Sequence, residues 1–250
     1  MVSPGSVTPI DSRGTVHVWP AAPLWACRRR RPGVSWADMP SLREITAQHG
    51  SCLLLDAASE RIQVGLCAVD SGRWTESSAE AGEGLFRCLD ALGVDPATVP
   101  AFAFCEGPGS ILGIRTAAMA IRTWSALTPR PCYHYQSLAV VATALADPMI
   151  AVVADARRES WHVYRAGAPL RRVPAAELTG PCVMPEGFRR WSNPPAGLAS
   201  HPYRLQGLFA RPEVAGADLF TATNTPDAFL HEEPAYATWT PQVHRAPATP

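Results

Sequence analysis

Three groups of residues in this chain have the types and spacing to do chemistry. The first is the turn Gly107-Pro108-Gly109-Ser110, with Gly113 and Arg115 close behind, in the stretch EGPGSILGIR. An apolar run ends there and a helix begins, so backbone N–H groups and the positive end of the helix dipole converge on one spot. Such a spot can hold a phosphate, and Arg115 on the first helical turn would add a bidentate contact. The same residues serve equally to turn a strand into a helix, with Ser110 as the N-cap. The second group is Asp56 and Asp155, each closing an apolar run (CLLLD and MIAVVAD), with Ser59 just after the first. A carboxylate placed so can cap the following turn by accepting backbone hydrogen bonds. The third is a helix stripe of Arg115, Met119 and Arg122, together with Leu85, Phe86 and Leu89 on an earlier helix. These types suit a docking face, and they suit ordinary core plus solvated charge as well.

Composition removes several chemistries. The 22 basic residues are all Arg, so no lysine nucleophile, Schiff base or P-loop lysine is available. Acidic and basic residues balance, which leaves no global attraction to nucleic acid or membrane. The seven cysteines (27, 52, 67, 88, 105, 132 and 182) form no CxxC pair, and several sit in apolar runs as small buried hydrophobes. That pattern fits reduced thiols in the cytoplasm. His134, His162, His201 and His231 stand alone, so no metal site is expected. Ser110 lies in no G-x-S-x-G elbow, and a hydrolase triad has no support. No apolar run approaches the roughly 18–20 residues of a membrane span, and the N-terminus lacks a signal-peptide pattern.

The elements that must position these residues can be read in order. Residues 1–48 are expected to be a disordered or loosely packed extension, Pro-rich and marked only by four arginines at 28–31; Met39 opens a stretch more like an ordinary N-terminus. The body divides into 49–147 and 148–250. Its first part opens with a hairpin, the buried run 52–56 and the alternating run 61–69, followed by a turn and an acidic, Ser-rich stretch. A short helix over 84–92, a strand over 99–105, a helix over 114–127 and a further helix over 137–145 come next. A strand then ends in Asp155, and SWHVYRAG completes a second hairpin. Buried strand, Asp, small residues and amphipathic strand thus occur twice, which points to a duplicated α/β architecture. Beyond residue 167 the pattern weakens, with a brief helix expected near 201–210 or 218–230.

At this point five collinear blocks resemble one family. GPGSILGIRTAAMAIRTWSAL resembles the GPGSFTG-x-R signature of the TsaB (YeaZ) family, and LLLDAAS its opening LALDTS. QSLAVVA, VVADARRESWHVY and the terminal EPAYATW resemble its VSSLEALA, DARRGEVY and P-x-Y-L-R blocks. The resemblance implies an actin-like ATPase (ASKHA) fold of two βββαβα halves, the second shortened here. It implies a non-catalytic scaffold, without metal or required cofactor, that binds a TsaD-like transferase through the first two helices and supports threonylcarbamoylation of tRNA adenosine 37. A TsaE-like ATPase would be a further partner, a homodimer would form when the chain is alone, tRNA would be reached only indirectly, and the place of work would be the cytoplasm. The docking residues would be Leu85, Phe86, Leu89, Arg115, Met119 and Arg122. In such a fold Asp56 and Asp155 stand where an ATPase would coordinate magnesium, with Ser59 beside them, so they would mark a vestigial ATP or ADP site.

Departures from the family pattern weigh on that site. Asp-Thr-Ser has become Asp56-Ala57-Ala58, and Ile111-Leu112 replaces Phe-Thr, so hydroxyls that would face a phosphate are gone. Glu159-Ser160 stands where Gly-Glu is usual. These changes favour a structural turn at 107–113 and structural carboxylates. Two other readings stay open: an actin-like enzyme that binds ATP, as a phosphotransferase or an M22-type peptidase, and a homodimeric interaction protein that has lost the tRNA role.

Overall fold

Residues 39–69 and 71–229 are described by the computed structural model; the arginines at 28–31 and the terminal EPAYATW block lie outside them. The chain enters through helix α1 (Leu42–His49) and runs into a three-stranded antiparallel meander, β1 (Ser51–Asp56), β2 (Ile62–Ala68) and β3 (Ser71–Ser77). Helix α2 (Ala81–Leu92) carries it across to β4 (Phe102–Gly107), parallel to β1. Helix α3 (Ile111–Ser125) then crosses to β5 (Cys132–Gln136), parallel to β4. Strand β11 (Thr221–Ala222) returns late to close this sheet, whose order is β11-β5-β4-β1-β2-β3.

After helix α4 (Ser137–Leu145) the strand plan repeats. A second meander, β6 (Ala151–Asp155), β7 (Ser160–Tyr164) and β8 (Arg171–Pro174), precedes β9 (Cys182–Pro185), parallel to β6, and β10 (Ala199–His201), parallel to β9. The order β10-β9-β6-β7-β8 matches β5-β4-β1-β2-β3 of the first sheet. The expected duplication therefore holds in the strands. It fails in the crossovers: a 3-10 turn at Ala175–Glu177 stands where α2 stands in the first half, and no helix intervenes between β9 and β10. Two short helices, α5 (Leu205–Phe209) and α6 (Pro212–Ala215), follow instead.

Local sequence explains most of these elements. Cys52, Leu53, Leu54 and Leu55 are all fully buried, as a continuous apolar run in a central strand requires. Helix α4 is apolar on every side, and it packs against β4 and β5 of one sheet and β6 and β7 of the other. Helix α3 starts at Ser110, whose hydroxyl accepts from Gly113 N, and buries Gly113, Ile114, Ala117, Ala118 and Ile121. Gly93, at φ 60°, closes α2 in the left-handed region that favours glycine.

Several expectations need correction. The loosely packed leader does not extend to residue 48, because Leu42–His49 is a helix packed on β1 and β2. Its signal is a capping box: Glu44 N donates to Ser41 Oγ at 3.2 Å and Ser41 N donates to Glu44 Oε2 at 2.7 Å. The stretch read as a turn and an acidic loop contains β3. Its register is fixed by Trp74, which lies against Gly65 of β2 and stacks on Phe209 of α5 at 6.2 Å. A Cβ on Gly65 would stand 2.6 Å from that indole, so glycine is the residue that admits the ring. Strand β5, CYHYQ, was not expected at all, and the residues from 218 to 229 are not helical.

Ile45 is completely buried beneath α1. If the helix belongs to the core, Ile45→Ala should lower unfolding stability by about 2–5 kcal/mol, read from urea denaturation of the full chain.

Candidate functional site

The two strand-end carboxylates occupy equivalent positions in the repeat and are held differently. Asp56 is fully buried. Its Oδ1 accepts from Ala58 N at 2.9 Å, and its Oδ2 accepts from the hydroxyls of Tyr135 and Tyr203, each at 2.6 Å. Burial pushes the carboxyl above the ordinary aspartate range, and the bonds from Tyr135, Tyr203 and Ala58 pull against that rise. Tyr135 is gripped edge-on by Phe209 and Phe220, and Tyr203 edge-on by Phe188. On the neighbouring strand, Gln63 donates to the Tyr203 carbonyl and accepts from Leu205 N, fixing the segment that delivers Tyr203.

Asp155 relies on backbone donors. Its Oδ1 accepts from Arg157 N at 2.6 Å and Ser192 Oγ at 3.1 Å, and its Oδ2 from Trp191 N at 2.7 Å and Ser192 N at 2.5 Å. Burial works to raise this carboxyl, but the bonds from Ser192, Trp191 and Arg157 outweigh it and leave it below the ordinary range. The loop 186–192 thereby spans both carboxylates. Trp191 and Ser192 bond Asp155, Phe188 packs on the tyrosine that bonds Asp56, and the Gly187 carbonyl accepts from Glu60 N at 2.8 Å. Ser59 turns away from Asp56: its hydroxyl donates to the Arg61 carbonyl.

The turn Gly107–Pro108–Gly109–Ser110 rests directly on Ala57 and Ala58. A Cβ on Gly109 would collide with the Ala58 carbonyl, and one on Gly113 with the Ala57 carbonyl, while Ser110 N donates to Ala58 O at 2.7 Å. Ser137 Oγ ties the turn from the other side through the Pro108 carbonyl at 2.7 Å. Arg115 sits at the surface 3.7 Å from Asp227, and Glu106 holds His134 at 2.8 Å just behind the turn. The two alanines that replace the family's Thr and Ser are thus the floor on which the glycines pack. Among the described residues, no three His, Cys, Asp or Glu side chains gather as a metal site would require. The six described cysteines are buried and free, and burial pushes the Cys67 and Cys132 thiols up to about 12.

The proposed docking residues separate into two sets. Leu85 and Leu89 are buried in the core and cannot touch a partner, because α2 turns them toward the sheet. Phe86, Arg115, Met119 and Arg122 are exposed. Sequence reading missed Leu112, which is 76% exposed and one heptad before Met119, itself 53% exposed. Its signal was the substitution already noted, Ile-Leu for Phe-Thr, which puts two large apolar side chains on an outward-facing first turn.

Two five-strand units of identical order, each with an aspartate ending its first strand, define the actin-like ATPase fold. Comparison with known proteins agrees. A family model described as TsaD, tRNA N6-adenosine threonylcarbamoyltransferase, matches residues 78–184. YeaZ from Pseudomonas aeruginosa is a similar solved structure, 22% identical, with a TM-score of 0.50 over 66% of this chain and 90% of its own. A second, described as similar to the peptidase YEAZ and from the same organism, is 21% identical with a TM-score of 0.48, over 64% of this chain and 88% of its own. No curated protein matches the sequence. The fold is YeaZ-like.

Two expectations follow from this geometry. Because the folded Asp56 carboxyl is raised, its contribution to stability is complete below the ordinary carboxylate pKa and is lost as pH rises through the raised value. Asp56→Asn, neutral throughout, should flatten that decline in urea midpoints taken from about pH 4 to about pH 8, whereas Asp56→Ala should cost about 1–3 kcal/mol for each tyrosine hydroxyl left without its acceptor. Gly113→Ala should destabilise by about 1–3 kcal/mol, since the opposing atom is backbone and cannot yield; thermal melting of the purified variant measures it.

Proposed function

We propose that this chain is a non-catalytic, TsaB-type subunit that binds a TsaD-like transferase and supports threonylcarbamoylation of tRNA. The observation that carries the reading is the outer stripe of α3, where Leu112 and Met119 stand exposed beside Arg115 and Arg122. Large apolar side chains next to arginines on a capped helix are the composition of an interface centre. Phe86 on the adjoining α2 is exposed as well. The YeaZ-like fold and the TsaD-family match over residues 78–184 support the choice of partner and pathway.

Catalysis is assigned to the partner because the chain's own acceptors are already in use. Both carboxylates that an actin-like ATPase would turn toward magnesium accept three or four donors from this chain. An ATP-using enzyme would have to break those bonds first, so no nucleotide is required in this reading. A TsaE-like ATPase would join the same assembly in the cytoplasm. In the isolated protein a second copy would cover the α3 face.

Co-expression with the TsaD-like protein of the same genome should give a complex that co-purifies at micromolar concentration. Leu112→Glu or Met119→Glu should abolish it while leaving the melting temperature unchanged, because each puts a charge into a desolvated interface. Absence of a wild-type complex sinks the reading, and saturable ATP binding by the isolated chain in titration calorimetry would favour the enzyme instead.

A further inference from the structure

Asp155 does more than close a turn. Its Oδ1 fixes Arg157 N and its Oδ2 fixes Trp191 N, and the two side chains so delivered stack, with the Arg157 guanidinium 4.5 Å from the Trp191 ring centroid. The β6–β7 turn holds three successive non-glycine residues in the left-handed region: Arg157 at φ 62°, Arg158 at 52° and Glu159 at 51°. Non-glycine residues rarely adopt such backbone, and it persists where surrounding structure enforces it. Here the Asp155 bond, with Ala156 N donating to Ser160 O and Ser160 N to Arg157 O, does the enforcing.

The result is a fixed surface of one composition. Arg157 and Arg158 on one loop and Arg189 and Arg190 on the other are exposed around Trp191, which is itself 52% exposed. Among the described residues none of these four arginines forms an ion pair, whereas Arg61, Arg87, Arg115 and Arg204 each have a carboxylate partner. Of the carboxylates at these loops, Asp155 is buried among its own donors, Glu60 lies against Gly187, Glu159 is exposed on the β6–β7 turn and Glu186 acts on Arg204; none of them forms an ion pair with the four arginines. Unpaired guanidinium groups recognise phosphate in a bidentate fork, and an indole already stacked on one side offers its second side to a base.

We propose that this Arg–Trp surface binds RNA with unpaired bases, the arginines taking phosphates and Trp191 stacking a base. Single-stranded or loop RNA, rather than duplex, is the ligand that supplies both, since bases in an A-form helix do not reach an aromatic side chain. The inference goes beyond the proposed function by giving this chain a direct RNA contact, and departs from the expectation that tRNA is reached only indirectly; it borrows from that reading only the choice of RNA.

Fluorescence anisotropy with the purified full chain tests it, using a labelled RNA stem-loop, an RNA duplex of equal length, and heparin. The stem-loop should bind saturably at low salt and more tightly than the duplex. Trp191→Ala should weaken stem-loop binding roughly 5- to 150-fold and leave heparin binding unchanged. Arg189→Ala/Arg190→Ala should weaken all three and reduce the slope of log affinity against log salt by roughly 0.7 for each phosphate no longer neutralised. All three side chains removed are exposed, so melting curves should match the wild type. Absent binding, binding insensitive to both variants, or stem-loop and duplex binding equally with Trp191→Ala silent would each overturn the proposal. The assay contains no partner protein, so RNA binding without co-purification leaves this surface standing and removes only the subunit reading.

Discussion

The structure depends most on one buried carboxylate and the two phenols that close it. An ionisable group taken wholly out of water is costly unless donors replace the lost hydration. Asp56 obtains them from its own turn, from β5 and from the segment after β10. These three lie far apart in sequence, so this requirement brings distant parts of the chain to one point. Much of the surrounding order follows. Phe209, Phe220 and Phe188 clasp the two tyrosine rings, Gln63 holds the backbone that presents Tyr203, and Ala57 and Ala58 make the floor for the glycine turn. The same hydroxyls that stabilise the core also occupy the position where a catalytic carboxylate would need to be open.

Asp155 shows how far two copies of one plan can diverge. It ends the equivalent strand, yet three of its four bonds come from backbone N–H groups of surface loops and the fourth from the Ser192 hydroxyl, and together they lower its pKa where those of Asp56 fail to offset burial. The difference traces to the crossovers. The first half spends its connections on α2 and α3, which cover its sheet; the second has no helix between β9 and β10, and the loop 186–192 is left to satisfy the strand end. One face of the second sheet joins the main core through Val152, Ala154 and Val183, and the other carries a small separate cluster around Val153, Trp161 and Cys182. Where the first half has helical crossovers, the second has loops, and the loop 186–192 becomes surface there.

What the sequence disclosed followed from pattern strength. Runs with a clear period or continuous apolarity, such as 52–56, 137–145 and 151–155, became the elements expected, and the repeated Asp-ended strand announced the duplication. Strand β3 stayed hidden because as an edge strand it carries polar residues outward, and only Trp74 betrays a buried face. Strand β5 was overlooked because CYHYQ follows a Pro-rich turn, although its aromatics suit a sheet. Leu85 and Leu89 were placed on a docking face because a helix stripe shows that residues share a side, without showing which side faces the core. The tyrosines at 135 and 203 and the Trp191 loop gave no local signal, since their roles arise from packing across dozens of residues.

A chain with balanced charge has no long-range field to steer a polyanion. Any RNA contact must then act at close range, within the roughly 8–10 Å over which exposed charges are felt at ordinary ionic strength. That condition favours charges held in register over charges on flexible stems. Arginine satisfies it, because its planar fork loses less freedom per bond than an ammonium on a mobile chain. The left-handed turn at 157–159 and the Asp155 bonds satisfy it further by fixing the backbone beneath two of the four guanidinium groups. An apolar helix face for a protein and a rigid cationic face for a nucleic acid are distinct solutions to distinct recognition problems. The first draws on desolvation, which needs exposed leucine and methionine on α3; the second draws on local charge, which needs a carboxylate spent entirely on geometry.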